Sequence, residues 1–142
     1  NACKDLIKSK FKIFAYCSDD PILCKRLEDL GCEVVMPLVS PIGSGQGIRN
    51  EQNLEIIRKM CTGNIFVDAG IGKPSDVAKI MELGFDGVLL NSSVARSLNP
   101  IEMAEAMKLA VLSGRKGYTS GIIEKSKFAP GSTSFKGKIS NF

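Results

Sequence analysis

Four short apolar runs recur along the chain: FKIFAYC (11–17), EVVMPL (33–38), NIFVDAG (64–70) and GVLLN (87–91). Each is rich in Val, Ile, Leu or Phe, the composition of a buried strand. A segment with helical spacing follows every one of them. Asp20 and Pro21 read as an N-cap and an N1 proline opening PILCKRLEDL, which stops at Gly31. Asn50 can cap EQNLEIIRKM, and Pro74 opens PSDVAKIMEL with Gly84 as its stop. Asn99 and Pro100 open IEMAEAMKLAVLS, with Glu102 placed for a capping box and Gly114 as the stop. Strand starts recur every 22–31 residues, the rhythm of β/α units that build a parallel sheet covered by helices.

Two α/β architectures share that rhythm: a small doubly wound sheet, or part of a (β/α)8 TIM barrel. Both bind ligands at the carboxyl ends of their strands. Those ends read Ser18-Asp19-Asp20, then Pro37 through Gly47, then Asp68-Ala69-Gly70-Ile71-Gly72, then Asn91-Ser92-Ser93. The chain's 142 residues suffice for one small domain, whereas a complete barrel takes about 250.

Composition narrows the function classes. A chain that is 44% hydrophobic and 24% charged is ordinary for a globular protein. No apolar run approaches the ~20 residues of a membrane span, so no membrane association is expected. The net charge of +4 invites a nucleic-acid reading until the charges are placed. From Arg115 onward there are six basic residues and one acid, which leaves 13 basic and 14 acidic residues before it. The basicity belongs to a Gly/Ser-rich tail from residue 117, expected to be mobile, and nucleic acid is not an expected partner. With no histidine, papain-like chemistry and a Ser-His-Asp triad are excluded, and with no Cys-x-x-Cys pair either, no zinc site is expected. The five cysteines, Cys3, Cys17, Cys24, Cys32 and Cys61, form no Cys-x-x-Cys pair and read as reduced, small apolar residues in a reducing compartment. The start, NACKDLIKSKFK, has no long apolar core and is no secretory signal. It also lacks an initiator Met, which suggests a chain beginning inside a longer polypeptide.

Three strand ends can carry chemistry. In Pro41-Ile42-Gly43-Ser44-Gly45-Gln46-Gly47, glycines at alternate positions let the backbone turn tightly and present N–H groups to an anion. The spacing is neither Gly-x-Gly-x-x-Gly nor a P-loop, so no nucleotide cofactor is expected. A plain loop or lid is the competing reading. Asp68 ends a buried strand, where desolvation raises a carboxyl pKa towards a value useful for acid/base work; the alternative is a carboxylate bonded to a neighbouring loop. Ala69 and Gly70 leave room for a phosphate, and Asn91-Ser92-Ser93 offers small polar groups after the last strand, where barrels recurrently bind phosphate. Asp19 and Asp20 read as caps, Asp86 as a turn residue, and Lys12 lies at the wrong end of its strand. Lys73, near the proposed phosphate site, reads as solvated.

VMPLVSPIGSGQG (35–47), IFVDAGIGKPSDVAKIMELGFDGVLLNSSVA (65–95) and MAEAMKLAVLSGRKGY (103–118) together resemble the thiazole synthase of thiamin biosynthesis, over roughly residues 11 to 122. The resemblance implies a homo-oligomeric (β/α)8 barrel, a sulfur-incorporating transferase of the bacterial cytoplasm or the plastid stroma, with no metal or cofactor. It implies 1-deoxy-D-xylulose 5-phosphate, dehydroglycine and the thiocarboxylate of a small ubiquitin-like sulfur carrier protein as substrates. It further implies sugar-phosphate contacts from Gly43, from Ala69 and Gly70, and from Asn91 and Ser92, and an acid/base role for Asp68.

The family forms a Schiff base through a lysine followed two residues later by glutamate, and no lysine here matches it. The expectation is therefore the C-terminal half of a barrel, strands five to eight, over residues 1–116, with a tail over 117–142. Alone, such a half is expected to be inactive and unstable, with open edges and an unclosed core. The alternatives are another phosphosugar barrel synthase, or a non-catalytic phosphate-binding half-barrel.

Overall fold

The computed structural model describes residues 2–129. The elements run α1 (Ala2–Lys8), β1 (Phe14–Cys17), α2 (Pro21–Asp29), β2 (Val34–Pro37), α3 (Glu51–Met60), β3 (Asn64–Asp68), α4 (Pro74–Glu82), β4 (Gly87–Leu89), α5 (Ser92–Ala95) and α6 (Pro100–Ser120). Every apolar run contains its strand, and α1 and α5 are additions to the expected set. The caps form as their residue types dictate. Asp20 Oδ1 accepts from the N–H groups of Ile22 (2.8 Å) and Leu23 (3.2 Å), Asn50 Oδ1 from Asn53 N (3.1 Å), and Asn99 Oδ1 from Glu102 N (3.3 Å).

The four strands are parallel and adjacent in chain order, β1-β2-β3-β4. Phe14 to Cys17 pair with Val34 to Pro37, Val34 and Val35 with Asn64 and Ile65, and Phe66 to Asp68 with Gly87 to Leu89. The pleat sorts side chains by face. On one face Ala15, Cys17, Ile65 and Val67 are buried, and the core they enter includes Cys24, Leu54, Ile57, Val77 and Ile80 from α2, α3 and α4. On the other, Phe14, Tyr16 and Leu89 keep 55%, 49% and 43% of their surface exposed. The sheet is thus covered on one side and open on the other.

The last helix departs from expectation. It does not stop at Gly114 but continues to Ser120, ending before Gly121 at φ +79°. Gly114 is where α6 crosses α4: a Cβ there would overlap the Ala78 carbonyl oxygen and Met81 Cβ. The glycine permits close helix packing instead of ending the helix. Arg115 and Lys116, counted with the basic tail, are helical residues. The Arg115 guanidinium donates to the Phe85 carbonyl and lies 5.7 Å from the Tyr118 ring centre. Residues 121–129 have no helix or strand, and the rest of the expected mobile tail, 130–142, lies outside the described residues. No helix among the described residues is long and apolar enough to cross a membrane.

Candidate functional site

The connection from β2 to α3 folds over the end of β3 and is pinned there by the backbone. Val39 N donates to Ala69 O (3.2 Å) and Gly47 N to Gly70 O (2.8 Å). The buried Ser40 hydroxyl also donates to Gly70 O (3.0 Å) and lies 3.2 Å from Ser44 Oγ. The contact is close enough to require glycine. A Cβ on Gly70 would overlap the backbone of Ser40, and one on Gly72 would overlap the Gly45 carbonyl. Ala69 itself sits at φ +74°, a left-handed conformation that costs a non-glycine residue about 1–3 kcal/mol and that clusters at binding sites.

Asp76, in the first turn of α4, holds the far side of this junction. Its Oδ2 accepts from the N–H groups of Gly72 and Lys73, both at 3.1 Å. Carboxylates suit this position because a helix N-terminus carries unpaired donors and partial positive charge. A Cβ on Gly47 would overlap the same carboxylate, so α4, its preceding loop and the glycine loop form one packed unit.

The result is a cavity of about 300 Å³ at the carboxyl ends of β3 and β4. All six sequence-derived candidates, Gly43, Asp68, Ala69, Gly70, Asn91 and Ser92, line it, with Ile42, Ile71 and Leu89 among its apolar walls. Burial pushes the Asp68 carboxyl above the usual carboxylate range, opposed by the Ala69 N–H. That shift moves it towards proton exchange near neutral pH.

Three participants, Ser40, Asp76 and Arg96, were not singled out by the sequence, whereas Ser93 was part of the Asn91-Ser92-Ser93 run. Ser40 and Asp76 act through which loops touch. Ser93 and Arg96 enter because β4 leads into the short α5, which turns them towards the glycine loop: the Arg96 guanidinium donates to Gly43 O at 3.4 Å. The weaker candidates fall elsewhere. Asp20 is a cap, and Asp19 offers its carbonyl to Asn53 Nδ2 (2.8 Å). Asp86 accepts from Ile65 N and from Arg58, both at 2.9 Å, and Lys12 pairs with Glu33 at 3.4 Å. Lys73 occupies the N-cap position of α4. All five cysteines are free thiols; the buried Cys17 and Cys24 have their sulfurs 3.7 Å apart.

The family model described as "Thiazole biosynthesis protein ThiG" matches residues 1–134. The thiazole synthase of Sorangium cellulosum is 51% identical over 138 residues, 97% of this chain and 53% of the relative. That of Exiguobacterium sibiricum is 54% identical over 136 residues, 96% of this chain and 53% of the relative. Among solved structures, the Amycolatopsis orientalis BexX/CysO complex superposes with a TM-score of 0.84 at 30% identity, over 88% of this chain and 51% of the other. The chain spans about half the length of the curated relatives it matches. With a family match running through both cavity-forming loops and into α6, the chain belongs to the ThiG thiazole biosynthesis family.

Proposed function

We propose that this chain supplies the phosphate-binding, C-terminal half of a thiazole synthase barrel. The observation that carries the reading is the convergence of Gly43, Asp68, Ala69, Gly70, Asn91 and Ser92, from three separate strand ends, on one cavity. The strand order supports a barrel: a doubly wound sheet reverses its order at a switch point, and β1 to β4 run in sequence. The open face bearing Phe14, Tyr16 and Leu89 is the face a barrel would close over.

In this reading the backbone amides around Gly43 and Gly70, with Asn91 and Ser92, hold the phosphate of 1-deoxy-D-xylulose 5-phosphate. The sugar's ketone condenses with a lysine amine on a part of the synthase outside this chain, losing water to form the imine. Asp68, at the strand end facing the carbon chain, takes and returns protons as the carbonyl moves along the sugar. Its burial favours the protonated form, which suits a group that returns a proton as well as taking one. Sulfur then enters from the thiocarboxylate of a ubiquitin-like carrier protein, and condensation with dehydroglycine closes the ring. The likeness to BexX, solved in complex with the protein CysO, supports a protein partner at the sulfur-entry step. A homo-oligomer in the bacterial cytoplasm or the plastid stroma completes the proposal.

Borohydride trapping tests it. Incubated with 1-deoxy-D-xylulose 5-phosphate, the complete synthase should give a reduced adduct on a lysine outside residues 1–142, and this chain alone should give none. An adduct on one of this chain's own lysines would overturn the division of labour. Asp68→Asn in the complete synthase should form the imine but lose turnover by about 100-fold or more, the scale of general acid/base catalysis.

A further inference from the structure

A second cavity, of about 360 Å³, adjoins the first and shares Gly43, Ser92 and Ser93 with it. Arg96 and Ser97 also line it. Two observations mark it as built for an anion. The Ser93 hydroxyl oxygen is fully buried and has no hydrogen-bond partner among the described residues, an arrangement that costs free energy unless something completes it. Among the described residues Arg96 is the one cationic side chain lining either cavity, and it donates to the carbonyl of Gly43 on the glycine loop.

The charges give the reason. A phosphate monoester carries roughly −1.5 to −2 at pH 7, and Asp68 places a carboxyl group in the first cavity as well. Backbone amides and hydroxyls are dipoles with no net charge, so a cradle of glycines, Asn91 and Ser92 leaves that negative charge uncompensated. Arg96 lines the second cavity and Asp68 the first, so Arg96 can offset the phosphate without sharing a cavity with the carboxyl group.

We infer that Ser93 and Arg96 complete the phosphate subsite: the phosphate sits at the junction of the two cavities, the Ser93 hydroxyl donates to one of its oxygens, and Arg96 supplies the compensating charge. This rests on the phosphosugar reading of the first cavity. It makes Arg96 the residue that distinguishes a phosphorylated from an unphosphorylated sugar. It also orients the ligand, with its phosphate outward and its reacting carbons beside Asp68.

The test uses the complete synthase, with affinity for 1-deoxy-D-xylulose 5-phosphate and for unphosphorylated 1-deoxy-D-xylulose measured on the wild type, Arg96→Gln, Arg96→Lys and Ser93→Ala. Arg96→Gln should raise KM for the phosphosugar by about 10–100-fold with kcat within a factor of two, the size expected for losing a charge-assisted hydrogen bond. Affinity for the unphosphorylated sugar should stay within a factor of two. Arg96→Lys should recover part of the loss, and Ser93→Ala should cost about 3–10-fold. Equal losses for both sugars would reduce Arg96 to a loop latch and overturn the inference, as would unchanged KM. Inorganic phosphate separates the two layers. Failure of phosphate to compete with the phosphosugar on the wild type overturns the subsite reading itself. Competition of undiminished strength on Arg96→Gln overturns only the role of Arg96.

Discussion

Gly72→Ala isolates the contact between the two loops that build the site. Gly72 is not in the left-handed region, so alanine brings no backbone strain there; the only new element is a methyl group. That methyl would overlap the Gly45 carbonyl oxygen and stand 2.8 Å from its carbon and 3.2 Å from its Cα. The Gly45 segment must retreat by roughly 1 Å to reach ordinary contact, and overpacking of that kind costs about 1–3 kcal/mol. The retreat also pulls on the bonds from Gly47 N (2.8 Å) and Ser40 Oγ (3.0 Å) to Gly70 O, each worth about 1 kcal/mol net. Because a loop can open without global unfolding, the cost should appear at the site. Phosphosugar affinity should fall by about 10–100-fold, at 1.4 kcal/mol per tenfold, and amide exchange at Gly47 should accelerate by a similar factor. The melting temperature should change little. Gly45→Ala is the control. Its Cβ would meet Gly72 Cα at an ordinary 3.7 Å, and its φ of +62° costs only backbone strain, about 1–2 kcal/mol. Wild-type Gly47 protection and affinity in Gly72→Ala, or a larger loss in Gly45→Ala, would refute the steric argument.

Three further outcomes follow from other parts of the molecule. Burial raises the Asp68 carboxyl pKa, so ionised Asp68 penalises the folded state above the carboxylate range; Asp68→Asn should be more stable than wild type at neutral pH, with the difference shrinking as the pH falls, as read by denaturant unfolding across pH. Burial opposes ionisation of Glu28 too, but Lys25 and the N–H groups of Gly63 (2.5 Å) and Thr62 (2.8 Å) outweigh it and hold its carboxyl below the usual range. Glu28→Gln should therefore cost about 1–3 kcal/mol at neutral pH, a cost that vanishes as acid protonates the wild-type carboxyl. Gly114→Ala should destabilise by about 1–2 kcal/mol in thermal or denaturant unfolding, because overlap with Ala78 O and Met81 Cβ outweighs a helix-propensity gain of about 1 kcal/mol; a more stable variant would refute the close-packing role.

Local rules made most of the elements legible. Asp20, Asn50 and Asn99 are caps because each carries a short side-chain acceptor ahead of a helical pattern, and the positions of all four strands followed from apolar runs. The six cavity-lining candidates were legible for a related reason: in β/α units, ligand-facing residues lie just beyond strand ends, a place readable from the chain. Gly114 was misread because a glycine looks the same in sequence whether it ends a helix or lets another helix approach. Only the packing of α6 on α4 distinguishes the two. Ser40 and Arg96 were silent for the same physical reason. Their partners, Gly70 and Gly43, are brought near by the parallel register of β2, β3 and β4 and not by neighbourhood in the chain. The sequence by itself determined the β/α rhythm, the caps and which residues stand at the strand ends, since those depend on contacts a few residues apart. The tertiary structure alone decided that three strand ends share one cavity, that the sheet keeps an open face, and that an arginine just past a short helix reaches the glycine loop.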